Sequence, residues 1–367
     1  MLLQADEINS KEKTLSNSIN VNEIKRRLVD EESLKLFDAR YQYFRDGDYQ
    51  KLIESIWKVL PENGWKMSLF TRYMAENFKG KKVILYGAGD NGRNFLWENR
   101  FFSLGIEILY FTDSDSKLWD KKIFGVKVIS PDEAVTMNVP IIVDIGNAKI
   151  RNMLVRKFSS RAKGGVYQAS DKVNHIYSCV GNQYFDCEHI KPLGDNETFV
   201  DGGAFNGATA VEFVKWCKST YDHIYMFEPD KEMYDYCKKR YESNQVSIVN
   251  AGLWNETGIQ YFDEKGNGAS AISEDGGISI NTTTIDEVCK QHIPTFIKFD
   301  IEGAERNALD GAKNTITGYK PRLAVCVYHT PDDIVAIPEK LIRLNPDYRF
   351  QIKHYYVADY ETVLYAF

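Results

Sequence analysis

Phe199-Val200-Asp201-Gly202-Gly203-Ala204-Phe205-Asn206-Gly207-Ala208-Thr209 reads as a strand that runs into a glycine turn and out into a helix. The pattern continues outward from it. A strand spans Thr198 to Asp201, a helix Ala208 to Lys218, a strand His223 to Glu228, a helix Lys231 to Tyr241 and a strand Val246 to Ala251. Such alternation implies a doubly wound, mostly parallel α/β sheet. Past a glycine-rich section, Gly266 to Gly277, come a strand through Ile278 to Thr284, a helix from Ile285 to Lys290, and strands from Phe296 to Asp300 and Leu323 to Tyr328. A closing pair near Phe350 to Lys353 and Thr362 to Phe367 finishes the sheet.

Upstream the same theme appears on a smaller scale. Val83 to Tyr86 forms a strand, Asn91 to Asn99 a helix, Ile106 to Phe111 a strand, Val126 to Ile129 a return and Pro140 to Asp144 a strand. The expected organisation is a helical N-terminal region over 1–78 with a mobile start, a small Rossmann-like unit of nucleotide-binding type over 79–160, a linker over 161–195 and a larger Rossmann-like domain over 196–367. The small unit opens with Gly87, Gly89 and Gly92 in G-x-G-x-x-G order, and Asp113 ends the next strand where a dinucleotide fold places its ribose acid. A bound nucleotide and plain strand–helix packing both account for these glycines. A nicotinamide oxidoreductase lacks support, because Tyr234 and Lys238 are an ordinary i, i+4 pair on an exposed helix face.

The 367 residues are 43% hydrophobic with a net charge of −6, which suits two buried cores and lacks the basic footprint of a nucleic-acid binder. Six cysteines (Cys179, Cys187, Cys217, Cys237, Cys289, Cys326) show no C-x-x-C pair, so reduced thiols and a cytoplasmic setting are expected. Neither a signal peptide nor an apolar run long enough to span a membrane is seen in the sequence.

In the larger domain the acid precedes the glycines. Asp201 at a strand end opposes a phosphate and favours a cation or an amine, and S-adenosylmethionine carries both. Gly203 and Gly207 would let backbone approach that donor, and Glu228 in Phe227-Glu228-Pro229-Asp230 is placed to take two ribose hydroxyls. With VDGGAFNGAT, FEPD, VNAGLW, TTTID and IKFDIEGAERNAL in this order, residues 196–367 resemble the FkbM family of S-adenosylmethionine-dependent methyltransferases. The resemblance implies a class I methyltransferase fold and O-methyl transfer to a hydroxyl of a sugar, glycan precursor or related small molecule, a nucleotide-linked sugar among them. Carried over by position, Asp201, Gly203, Asn206 and Thr209 would line the methionine part, Glu228 the ribose, Gly252 and Leu253 the adenine edge, and Asp300 would close the strand nearest the methyl. Gly202 departs from the family, many of whose members carry a branched apolar residue there.

An alcohol acceptor must lose a proton to become a good nucleophile. His329, following the next strand, is the expected base, with Asp300 and Glu302 beside it as catalytic carboxylates. A magnesium ion on Asp300 and Glu302 is the alternative way to activate the hydroxyl, and Glu305 reads as a first-turn helix acid. The upstream unit would recognise part of the substrate or scaffold a homodimer. A non-catalytic donor-binding assembly module is the alternative function.

Overall fold

The computed structural model describes residues 21–60, 67–168, 182–262 and 278–367. The expected mobile start, the glycine-rich section and Cys179 fall outside these residues. The chain divides into two compact units: Leu60–Val180 with Tyr356–Ala358, and Met1–Val59 with Gly181–Tyr355 and Asp359–Phe367.

The smaller unit holds a six-stranded sheet of β1 (Lys82–Tyr86), β2 (Glu107–Thr112), β3 (Lys122–Ile123), β4 (Val126–Ile129), β5 (Ile141–Val143) and β6 (Val166–Tyr167), in the order β3-β4-β2-β1-β5-β6. All pairings are parallel except β3 with β4. The helix Leu69–Phe78, capped by Ser68 on the Thr71 amide, buries Phe70, Met74 and Phe78 against Phe95, Val83 and Leu85. These positions recur at i, i+4 and i+8, one face of a helix. Gly87 and Gly92 have packing reasons of their own. A Cβ on Gly87 (φ +113°) would lie 2.8 Å from the Asp144 carbonyl oxygen, and one on Gly92 would lie 2.1 Å from that of Gly87. Asp113 accepts from the Ala88 amide through Oδ2 (2.9 Å) and from the Asp115 amide through Oδ1 (2.9 Å), so the expected ribose acid caps its own glycine loop.

The larger unit carries β7 (Thr198–Gly202), β8 (His223–Phe227) and β9 (Val246–Val249), a small sheet of β10 (Gly252–Leu253), β11 (Gly258–Phe262) and β12 (Ile278–Thr283), then β13 (Phe296–Phe299), β14 (Arg322–Cys326), β15 (Phe350–His354) and β16 (Thr362–Ala366). The seven-stranded order is β15-β16-β14-β13-β7-β8-β9, with antiparallel pairing only at β16. From β7 the chain moves to β8 on one side, and β13 pairs on its other side. That reversal opens a crevice at the carboxyl ends of β7 and β13, where open α/β sheets hold ligands.

The expected N-terminal region is divided between the units. The helix Glu31–Asp46, started by Asp30 accepting from the Ser33 amide (2.7 Å) and stopped by left-handed Gly47, lies against β15. Ser33 Oγ accepts from the Ile352 amide at 2.8 Å, and Arg40 Nε donates to Thr362 Oγ1 at 2.7 Å. The expected linker is also partly core. Phe185 is buried with its ring 5.7 Å from Phe199 and 5.8 Å from Phe296, and Cys187 and Ile190 are buried beside it. Its start supplies β6 to the smaller unit, and from Tyr184 to Ile190 single anchoring side chains, not a regular element, hold it to the larger sheet, so that part shows no clean periodicity.

Candidate active site

The turn after β7 is shaped by two glycines. Gly203 (φ +78°) passes so close to β13 that a Cβ would lie 2.0 Å from the Asp300 carbonyl oxygen, and its amide donates to the Phe227 carbonyl at 3.1 Å. Gly207 (φ +79°) starts the helix Ala208–Trp216, and a Cβ there would lie 2.5 Å from the Tyr241 ring. Both positions need a residue without a side chain and with left-handed freedom. Asn206 caps the Ala208 amide through Oδ1 (3.0 Å), and Thr209 is half-buried in the first turn.

Glu228, just past β8, is largely buried and accepts from the Phe205 amide through Oε2 (2.6 Å) and the Asp230 amide through Oε1 (2.9 Å). Burial pushes its carboxyl up, against the two amides that lower it. Each oxygen retains a second acceptor site, so the fixed carboxylate fits a pair of ribose hydroxyls. Gly252 is accessible, whereas the Leu253 side chain is buried, so of the two residues expected at the adenine edge only Gly252 is open to a ligand. Leu253 also explains the Gly202 departure. A Cβ on Gly202 would lie 2.9 Å from Leu253 Cδ1 and 3.0 Å from the Lys298 carbonyl oxygen.

Asp201 has a partner that the sequence reading did not include. It is fully buried, with Oδ1 accepting from Lys298 Nζ at 3.0 Å, so its charge is balanced inside the sheet, while Oδ2 has no hydrogen-bond partner among the described residues. The β7–β13 register pairs these two residues directly. Lys298 also donates to the carbonyls of Gly202 (3.0 Å) and Gly203 (2.8 Å), tying the glycine turn to β13. Burial raises the Asp201 carboxyl against the pull of Lys298. For Lys298, burial lowers the ammonium, but Asp201 and Asp300 outweigh it and leave its value raised.

His329, Asp300 and Glu302 do come together. His329 Nε2 is 3.5 Å from Asp300 Oδ1 and 3.7 Å from Glu302 Oε2, and Nδ1 is 3.0 Å from Glu305 Oε1, within ion-pair range though not lined up as a hydrogen bond. Glu305, placed by sequence as a simple first-turn acid, is buried, accepts from the Ile301 amide at 2.9 Å and backs the imidazole. Burial works against a charge on His329, but Glu305, Asp300 and Glu302 prevail and push the imidazole up to about 9. The side chain is only 3% exposed, whereas those of Asp300 and Glu302 are 25% and 69% exposed. At neutral pH His329 is therefore a buried cation behind two carboxylates, not the free base its ordinary value near 6.5 suggests.

This raised value has a stability consequence. Because the folded value lies above the unfolded one, the contribution is full below about pH 6.5 and is lost as pH rises through about 9. We expect His329→Gln to be less stable than the wild type by about 3 kcal/mol near pH 6, with the gap closing above pH 9 to 10. Urea unfolding of both proteins across that range checks this. A pH-independent gap would contradict the buried imidazolium.

Asp300 accepts from Tyr184 Oη at 2.9 Å through Oδ2 and from Tyr328 Oη at 3.2 Å through Oδ1. Burial raises its carboxyl, yet Lys298, His329 and the Tyr184 hydroxyl prevail and hold it below the usual carboxylate value. Among the described residues no three His, Cys, Asp or Glu side chains are arranged to hold a metal ion. The magnesium alternative also meets an electrostatic obstacle, since the His329 cation lies within 3.7 Å of both its intended ligands. Lys298, Tyr184 and Tyr328 were missed in the sequence. Only Lys298 had a visible signal: a lysine inside the apolar strand Phe296–Phe299 requires a buried counter-charge, and Asp201 is the acid that ends another apolar strand. Tyr234 and Lys238 lie on a surface, with Lys238 donating to the Tyr234 hydroxyl at 3.0 Å.

Residues 201–352 match the model of the methyltransferase FkbM domain. That domain is an S-adenosylmethionine-dependent methyltransferase. Among solved structures, the chain is similar to a methyltransferase FkbM from Methylobacillus flagellatus KT (16% identity, 92% of this chain and 99% of that one, TM-score 0.48). Further matches are a precorrin-6y C5,15-methyltransferase from Geobacter metallireducens GS-15 (13% identity, 47% and 80% covered, TM-score 0.30) and an S-adenosylmethionine-dependent methyltransferase from Aquifex aeolicus (11% identity, 48% and 84% covered, TM-score 0.27). No curated protein was found to match. Among the described residues no helix is long and apolar enough to cross a membrane.

Proposed function

We propose that this FkbM-type methyltransferase transfers a methyl group to a hydroxyl of a sugar, glycan precursor or related small molecule, and that Asp300 takes the hydroxyl proton. The observation that carries this reading is the Asp300 carboxylate: ionised, clamped by two tyrosine hydroxyls, partly exposed, and set at the sheet's reversal point against Gly203. S-adenosylmethionine, when bound, supplies an electrophilic methyl on a sulfonium. Glu228 would hold its ribose, Gly203 and Gly207 would let the backbone approach its methionine part, and Gly252 would border the adenine. Asp201 and Lys298 would act one layer below, fixing the turn.

Methyl transfer needs acceptor oxygen, carbon and sulfur in line, so the residues contribute mainly by positioning. The carboxylates of Asp300 and Glu302 favour the donor's positive charge. They disfavour a phosphate at the reacting position, so any nucleotide moiety of the acceptor would lie away from them. His329, as a cation behind Asp300 and Glu302, helps hold Asp300 below the usual carboxylate value, pulls Glu302 the same way against the burial that leaves it raised, and is a positioning residue. In this arrangement, deprotonating His329 at alkaline pH would loosen the carboxylates. The histidine-base reading predicts the opposite, a gain in rate through pH 9.

The test is to incubate the chain with methyl-labelled donor and a pool of free and nucleotide-linked sugars, and to locate the label by NMR as an O-methyl ether. Label on nitrogen or carbon, or donor binding with no transfer to any hydroxyl compound, would sink the proposal; the second outcome would favour the assembly-module alternative. Glu228→Ala should weaken donor affinity roughly tenfold to a hundredfold, the worth of hydrogen bonds to a charged group. Calorimetry reads this directly, and an unchanged affinity would remove Glu228 from the donor site.

A further inference from the structure

The 201–352 domain does not contain all of the groups that touch Asp300. We infer that Tyr184, which precedes that domain, is a positioning residue of the methyl-transfer site, clamping the Asp300 carboxylate so that it stays ionised and aimed at the acceptor hydroxyl. This rests on the proposed role of Asp300.

Three observations carry it. Tyr184 Oη donates to Asp300 Oδ2 at 2.9 Å, the shorter of the two tyrosine bonds to that carboxylate. Tyr184 sits at φ +75°, in the left-handed region that a non-glycine residue avoids unless its surroundings impose it. Those surroundings can be named: the Tyr184 amide donates to Tyr365 Oη at 3.0 Å, its hydroxyl is approached by Gln183 Nε2 at 3.1 Å, and Gln183 in turn bonds Glu361. The neighbouring Phe185 is locked among Phe199, Phe213 and Phe296. A backbone conformation that a bulky residue disfavours is thus held by anchors on both sides of the tyrosine, and the result is one hydroxyl delivered to one carboxylate.

The remaining groups that bear on Asp300 come from its neighbours in the sheet and the loops. Lys298 and Asp201 lie on β13 and β7, and Cys326, Tyr328 and His329 lie on and just after β14, while Glu302 and Glu361 add negative charge. Of these, Tyr184 and Tyr328 give Asp300 hydroxyl hydrogen bonds, and a hydrogen bond to the ionised form favours that form. Burial keeps the Tyr184 phenol neutral, so it remains a donor across the working range.

The experiment uses the full chain labelled with ¹³C in the aspartate carboxyls, with Asp300→Asn to identify the Asp300 resonance. In Tyr184→Phe, whose shape is unchanged, the Asp300 titration midpoint should rise by about one unit, the size expected for losing one such bond. Donor affinity measured by calorimetry should stay within about threefold, because Tyr184 contacts none of the residues assigned to ribose or adenine. A purely structural tyrosine would lower stability without moving that midpoint. An unchanged midpoint in folded Tyr184→Phe overturns the inference, while wild-type turnover in Asp300→Asn would instead overturn the role of Asp300. Should the phenylalanine variant fail to fold, 3-fluorotyrosine in the wild-type sequence replaces it. The ¹⁹F signal of Tyr184 should then titrate together with Asp300, and a flat signal would refute the clamp.

Discussion

Asp300→Asn should lower methyl transfer by about a hundredfold to ten-thousandfold, the range typical of losing a general base. Asparagine keeps the size of the side chain and can still accept from Tyr184 or Tyr328, so the variant removes charge and basicity while leaving the crevice in place. Donor affinity should fall far less, by no more than about tenfold, since one favourable charge is lost while Glu228 and the glycine turn remain. Turnover is read as S-adenosylhomocysteine formed per unit time, and affinity by calorimetry. Turnover close to wild type would remove Asp300 from the chemistry. A collapse of affinity equal to the collapse of turnover would make it a donor ligand instead.

The second large effect is on stability. Lys298→Met leaves Asp201 fully buried without its partner, and orphaning one member of a buried pair costs about 3 to 5 kcal/mol. It also removes the ammonium's hydrogen bonds to the carbonyls of Gly202 and Gly203, of which Gly202 keeps the Asp300 amide as a donor. In the double variant Asp201→Asn with Lys298→Met, no uncompensated charge remains, and most of the lost stability should return. Urea unfolding of the single and double variants measures this. Equal destabilisation in both would show that the loss comes from packing rather than from the stranded carboxylate.

Much of the larger sheet was legible in the sequence because its signals are local. The strand His223–Phe227, the helix Lys231–Tyr241 and the strand Phe296–Phe299 each announce themselves through an apolar run or a spaced face, and the structure places them within a residue or two of those limits. Gathering Asp300, Glu302 and His329 was equally legible, because parallel strands end on one edge. What could not be read depends on register and on distant segments. That Asp201 faces Lys298 follows from how β7 and β13 pair, and either residue alone suggests a different job. His329 looked like a base because histidine titrates near neutrality by itself. Three carboxylates, brought close by tertiary packing and strong enough to outweigh burial, change that. Tyr184 lies in a stretch without periodicity, where nothing in the sequence marks one tyrosine among 22.

In the proposed arrangement the donor lies in the crevice of the larger unit and not at the glycine loop of the smaller one. A crystal structure of the chain with S-adenosylhomocysteine tests it most directly. The expected density shows ribose hydroxyls on the Glu228 carboxylate, the amino acid part over Gly203, and the sulfur on the side facing Asp300. Electron density for the ligand at Gly87–Gly92, or anywhere away from Glu228 and Gly203, would contradict it.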